Sequence, residues 1–201
     1  MALQKRIVVF IDNSNVYRRL FDINKTGQKW PIKYDPLFLS RKLAGNRELV
    51  GVKFYCSPPP AHLQNDGENS EKKYWAQIGY YEAIKKLDLV EFKQGFLTGG
   101  KGNLTEKNLD TQIVTDLMAG AYKDTYDTAI ICSNDGDFQS AILAVREMGK
   151  RVEVSYFKGS ASYALMKSCD LTRRSRKSYY AWLDCGCEPK TAEEDSDNSQ
   201  N

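Results

Sequence analysis

Histidine is almost missing from this sequence of 201 residues: His62 is the single one, in a polar stretch with no nucleophile motif beside it. A serine or cysteine hydrolase built on an imidazole base is therefore unsupported, and a zinc site is left only to ligands converging from afar. Cysteine is scarce and odd in number. Of Cys56, Cys132, Cys169, Cys185 and Cys187 only the last two stand close, so a disulfide framework gives way to a reducing, cytoplasmic setting. No stretch approaches the roughly 20 apolar residues that a membrane helix needs. The apolar run after the basic start MALQKR ends in Asp12 without a small-residue cleavage site, which makes it a strand rather than a signal peptide. The glycines of LTGGKGN, 97–103, lack the spacing and the following Lys-Ser/Thr of a phosphate cradle, so that segment reads as a flexible loop. An excess of one charge is missing too. A net +3 permits nucleic acid without arguing for it.

What is present is an ordinary globular composition, 41% hydrophobic and 27% charged, at a length that suits one domain with a tail. The informative stretch is TAIICSNDGDF, 128–138. Ala129 to Cys132 is an unbroken apolar run, as in a strand covered on both faces of a parallel sheet. Polarity then switches at once through Ser133, Asn134, Asp135, Gly136 and Asp137, and an amphipathic pattern begins at Phe138. Ile7 to Ile11 is a second such run, delivering Asp12, Asn13, Ser14 and Asn15 into a turn before a helix from Val16 to Ile23 with Arg18 and Arg19 on its polar side. In an open α/β sheet these turns lie at the carboxyl edge, where ligands bind. Carboxylates brought together there repel unless a cation lies between them, and a hard divalent ion such as Mg²⁺ or Mn²⁺ prefers their oxygens.

Elsewhere strands and helices alternate. Asp35-Pro36 caps a helix that Gly45 stops, Val50–Tyr55 is a strand, and Ser57–Asn69 is either a plain solvated loop or a lid. Ser70 caps a helix to about Leu87, and Leu89–Phe96 is a strand. Leu109, Ile113, Leu117 and Ala121 mark a helix in which Asp110 falls inside the apolar stripe, either leaning into the crevice or complementing the helix dipole. Asp116 lies near the border of that stripe, about 9 Å further along. A helix follows from Phe138 to Met148. Arg151–Phe157 alternates like a half-exposed edge strand, and Ser160–Cys169 is a last helix. Arg173, Arg174, Arg176 and Lys177 interleave with Tyr179, Tyr180 and Trp182, a pattern that fits either a nucleic-acid contact or a final segment covering the core. From Glu188 the acidic, polar composition is that of a disordered tail.

Asp12-Asn13-Ser14-Asn15 after a strand, Lys107-Asn108-Leu109-Asp110 with Asp116 following, Ser133-Asn134-Asp135-Gly136-Asp137-Phe138, and Gly149-Lys150-Arg151-Val152-Glu153 occur in that order. Over residues 5–172 the chain thereby resembles the NYN domain, in the LabA-like branch of the PIN-like nucleases. The resemblance implies an α/β/α sandwich around a mainly parallel sheet of about five strands, spanning 1–172 and followed by the segment 173–201. It also implies a metal-dependent ribonuclease holding one or two Mg²⁺ or Mn²⁺ ions. Asp12, Asp110, Asp135 and Asp137 would be ligands, Asp116 a ligand or an outer carboxylate, and Asn15 an orienting amide. Ser133, Asn134, Lys107 and Arg18 would face substrate, Lys107 being otherwise a plain solvated lysine. Asn134 departs from the family pattern, which often has glycine there, and asparagine's tolerance of left-handed backbone accommodates it. RNA, single-stranded or structured, is the implied partner, with a homodimer or an RNA-processing assembly as the implied setting. A non-catalytic RNA-binding module on the same fold remains the alternative. A haloacid-dehalogenase phosphatase does not, because Asp12-Asn13-Ser14 lacks its Asp-x-Asp pair.

Overall fold

The first strand, β1 (Arg6–Asp12), is the spine of the molecule because Ile7, Val9, Phe10 and Ile11 are shut off from solvent on both of its faces. Each such side chain contributes about 2 kcal/mol on leaving water. The computed structural model describes residues 5–100, 102–159 and 162–184. After β1 come α1 (Asn13–Lys25), α2 (Pro36–Ala44), β2 (Glu48–Cys56), α3 (Glu68–Ile84), β3 (Val90–Gln94), β4 (Phe96–Thr98), β5 (Thr105–Lys107), α4 (Leu109–Tyr122), β6 (Thr128–Cys132), α5 (Gln139–Glu147), β7 (Arg151–Tyr156), α6 (Tyr163–Ser168) and β8 (Leu171–Arg174).

Six strands form one sheet in the order β3-β2-β1-β6-β7-β8, and every neighbouring pair is parallel. The chain moves outward from β1 on one side and outward from β6 on the other, so the order reverses between β1 and β6. That seam is where an open α/β sheet leaves a crevice. One face packs on α1, α2 and α3 through Val16, Leu20, Leu39, Leu43, Tyr80 and Ile84. The other packs on α4, α5 and α6 through Ile113, Leu117, Ile142, Val145 and Leu165. Among the described residues no helix is long and apolar enough to cross a membrane.

Local signals account for most element ends. The Asp35 carboxylate accepts from the N–H groups of Leu37 and Phe38 ahead of Pro36, and Gly45 closes α2 at φ 63°. α3 begins earlier than expected, with Gly67 rather than Ser70 at its cap position. The expected glycine-rich loop is instead the turn of an antiparallel hairpin, β4 with β5, whose three-residue strands are too short for periodicity to reveal. The segment 57–69, read as a solvated loop or a lid, contains a short 3₁₀ turn over Ala61–Asn65 that contacts α3.

The sheet has six strands where about five were expected, and the addition, β8, changes the reading of β7. β7 is no half-exposed edge: it lies between β6 and β8, with Glu153 only 1% exposed. Burial alone pushes the Glu153 carboxyl up, but Arg47 and Arg173 outweigh it and hold the group below its ordinary value. Arg47 grips both carboxylate oxygens, at 2.8 and 3.0 Å, and Arg173 donates at 2.9 Å. The basic-aromatic segment belongs to the fold as well. Tyr180 is buried, with Trp30, Tyr34 and Phe157 at ring separations of 5.7, 5.3 and 5.9 Å, and Trp182 bridges to Tyr34. The acidic stretch from Glu188, like Cys185 and Cys187, lies outside the described residues.

Glu153→Gln leaves guanidinium groups without a buried counter-charge and should cost about 3 kcal/mol. Because the folded carboxyl titrates low, its stabilisation is present above the ordinary value of 4.5 and is lost as pH falls below it. Urea unfolding of the two proteins at neutral pH and at about pH 3 checks this, with the gap expected to shrink in acid.

Candidate active site

The seam between β1 and β6 opens into a crevice of about 800 Å³. Asp12, Asn15 and Arg18 reach it from the end of β1 and the start of α1, Asp135 from the turn after β6, Asp110 from the first turn of α4, and Glu106 and Lys107 from β5. Asp12 is the deepest of these. It ends β1, caps α1 by accepting from the Asn15 N–H at 3.1 Å, and accepts the Ser133 hydroxyl at 2.9 Å on its other oxygen. Burial pushes its carboxyl up to about 6; the two hydrogen bonds work against this, and the negative charges of Asp110 and Asp135 add to it. Asp110 is likewise raised, by partial burial and then by Asp135, Asp137 and Glu106. Five acidic side chains from four stretches of the chain therefore feel one another across one space.

The two turns are laced together. Asn15 Oδ1 accepts the Asn134 N–H at 3.1 Å, and Ser133 Oγ, while donating to Asp12, accepts the Asp135 N–H at 3.1 Å. Asn13 accepts the hydroxyl of the buried Tyr34 at 3.1 Å, anchoring the first turn from behind. Gly136 is needed for close approach, since a Cβ there would meet Ser162 Oγ at 2.6 Å. On the far wall Asn108, left-handed at φ 73°, turns the hairpin into α4 and so orients Lys107 and Asp110. The Ser14 hydroxyl donates to Glu106 at 3.0 Å, tying α1 to that hairpin.

Several expected roles are changed by these contacts. Asp110 keeps an expected place: solvent-exposed, it stands on the crevice wall. Asp116 is drawn away to the β2–β3 side, where it accepts the Tyr55 hydroxyl at 2.7 Å and pairs with Lys93 at 3.0 Å and Lys53 at 3.7 Å. Partial burial opposes its ionisation, but those partners outweigh burial and hold it below the usual carboxylate range. Already neutralised, it is a poor ligand. Ser133 and Asn134 are buried and committed to protein partners, so neither is placed to meet a phosphate. Asn134 is not left-handed either. Its side chain clamps the backbone of Phe157, accepting at 3.0 Å and donating at 3.3 Å, which explains an asparagine at this position. Asp137 is exposed and outside the crevice lining; its N–H donates to Asp135. Glu106, on β5, was not singled out in the sequence, where nothing marks so short a strand.

Among the described residues no three His, Cys, Asp or Glu side chains stand close enough to make a ready-made metal cage. These carboxylates do not clasp one point. Asp12, Asp110 and Asp135 still offer an all-oxygen donor set without imidazole or thiolate, which fits a hard cation that keeps part of its water shell and takes one or two protein carboxylates.

A doubly wound parallel sheet with carboxylates at its switch point defines a class of α/β domain that works at its carboxyl edge. Within that class, residues 6–175 match the NYN domain family, and the chain belongs to it, in the PIN-like nuclease superfamily. No curated protein matches the chain. A solved protein of unknown function from Vibrio parahaemolyticus is similar in structure, with a TM-score of 0.61 at 16% identity, over 90% of this chain and 99% of that one. At that identity the likeness speaks to the fold.

Because Asp12 titrates high in the fold, its contribution is fully present below its ordinary 3.8 and is lost as pH rises through about 6. Asp12→Asn should therefore melt above the parent protein at neutral pH without divalent ions, by up to about 3 kcal/mol. The gain should vanish near pH 4, as calorimetry across that range will show.

Proposed function

We propose that this NYN domain, of the LabA-like branch, is a metal-dependent ribonuclease that hydrolyses RNA phosphodiester bonds in the crevice. The observation that carries the reading is the meeting of Asp12, Asp110 and Asp135, borne by β1, α4 and the turn after β6, at the switch point of the sheet. These three would hold one or two Mg²⁺ or Mn²⁺ ions, with Asp137 able to join from the rim. Such an ion, when bound, supplies Lewis acidity toward water and neutralises charge at the phosphate.

The chain's own groups prepare that chemistry. Ser133 and the Asn15 N–H occupy two of the roughly four lone-pair sites of Asp12 and keep it oriented. The Asn15 carbonyl holds the β6 turn against the β1 turn. Arg18 on α1 and Lys107 on the hairpin supply positive charge for the phosphates on either side of the scissile bond. The reduced thiols of Cys56, Cys132 and Cys169 agree with a cytoplasmic site of action. A homodimer or an RNA-processing assembly is the setting that the family resemblance supports.

One observation favours the second reading, an RNA-binding module that does not cut: the carboxylates form an open set rather than a closed cage. Labelled RNA and DNA oligonucleotides incubated with Mn²⁺ separate the two. Cleavage should stop with EDTA and fall by roughly 100-fold or more in Asp135→Asn, whereas Asp116→Asn should stay within a few-fold. Mn²⁺ should also raise the melting temperature of the parent protein and not that of Asp12→Asn. Full-rate cleavage by Asp135→Asn, or none by the parent with any divalent ion, overturns the nuclease reading.

A further inference from the structure

On α1, Val16 and Leu20 are buried as the core-facing stripe requires, yet Tyr17 and Phe21, one position on, remain 38% and 45% exposed. Their rings lie 14° from parallel with centroids 6.2 Å apart, and Lys25 Nζ rests 4.5 Å from the Phe21 centroid. Residues 17, 21 and 25 thus form one column at i, i+4 spacing that runs toward the N-terminal end of α1, where Asp12 and Ser14 stand. Both rings line the carboxylate crevice, and both also line a second groove of about 530 Å³. The rings are therefore the sill between the two spaces. The second groove has an apolar wall from Ile32, Pro58, Pro59 and Leu63, and Lys73 at its side. Among the described residues neither Arg18, Lys107 nor Lys73 has an acidic partner.

We propose that Tyr17 and Phe21 form a base-stacking subsite for an unpaired nucleotide of a single-stranded nucleic acid that leaves the crevice past Arg18 and enters the second groove toward Lys73. The inference rests on the nuclease reading for what occupies the crevice itself. Its physical basis is independent: a flat aromatic surface beside unpaired cations is what single strands bind, because every base has a π-face and every linkage a negative charge. In a duplex those faces are covered by neighbouring pairs and cannot reach the rings. The subsite therefore selects single strands without selecting sequence, and the apolar wall beyond it accepts a second flat base.

Fluorescence anisotropy in EDTA, where binding is read without cutting, tests it on the full chain. Labelled RNA and DNA single strands of about eight nucleotides, an abasic strand of equal length and the matching duplex serve as probes. Tyr17→Ala and Phe21→Ala should each weaken intact single strands by about 5- to 100-fold, leave the abasic strand unaffected, and keep the parent melting temperature because both rings are exposed. Tyr17→Trp should retain binding, and serves with Phe21→Leu should either alanine variant fold poorly. Equal affinity of parent and variants for intact strands, an equal loss on the abasic strand, a preference for duplex, or no strand binding at all overturns the proposal. Cleavage in Mn²⁺ is scored separately. Ring-dependent binding without cutting leaves the subsite standing and removes only the nuclease reading, while unchanged KM with both rings gone removes the subsite alone.

Discussion

The bond from Ser133 to Asp12 is the contact on which the rest of the site depends. Register makes it: Ile11 faces Cys132 across the β1–β6 pair, so the next residue of each strand must be Asp12 and Ser133. A slip of one residue would turn the carboxylate to the other face of the sheet. Burying a carboxyl without partners is costly, and here a hydroxyl and a helix-capping N–H meet that cost while leaving the group facing a shared crevice. Ser133 then passes the constraint on to Asp135 through its own acceptor. One hydroxyl thus sets the positions of two acids from two strands.

The protein treats its carboxylates in two opposite ways. Glu153 and Asp116 are each surrounded by cations and held low, so their charges are spent on cohesion. Asp12 and Asp110 are pushed high by burial and by like charge. Perturbation of the second kind, on the wall of a crevice, is the kind that gathers at functional sites. The contrast lies in the neighbours and not in the residue type, which is why acidic residues of equal standing in the sequence end in such different roles.

That contrast also separates what was legible in the sequence from what was not. Apolar runs ending abruptly in polar turns marked β1 and β6, and with them Asp12 and Asp135, because a buried parallel strand and its exposed edge are both written in local composition. Arg18 was placed on the polar side of the helix after the first turn, whereas Lys107 came only from the family resemblance. β8, four residues ending in two arginines, carried no strand signature, and without it β7 could only look like an edge. The same alternation that describes a half-wet strand also describes an inner one whose polar face is neutralised by arginines from elsewhere. Asp116 lay beyond sequence reasoning for a related cause. A helical wheel gives the direction of a side chain but not what stands opposite it, and Lys53, Lys93 and Tyr55 come from strands far away in the chain. Ser133 and Asn134 were read by chemical type as donors, whereas their groups were already used in closing the two turns.

The strand order has a consequence for biosynthesis. The two halves of the seam, Ser133 and Asp12, are separated by 121 positions, so at ordinary ribosomal speeds the first acid waits on the order of 10 s for its partner. Until then β1, the most apolar strand, has β2 and β3 on one flank and nothing on the other. A nascent chain stalled in that interval displays an open sheet edge and no assembled crevice, which makes the late arrival of β6 both the step that protects the polypeptide and the step that first completes the crevice.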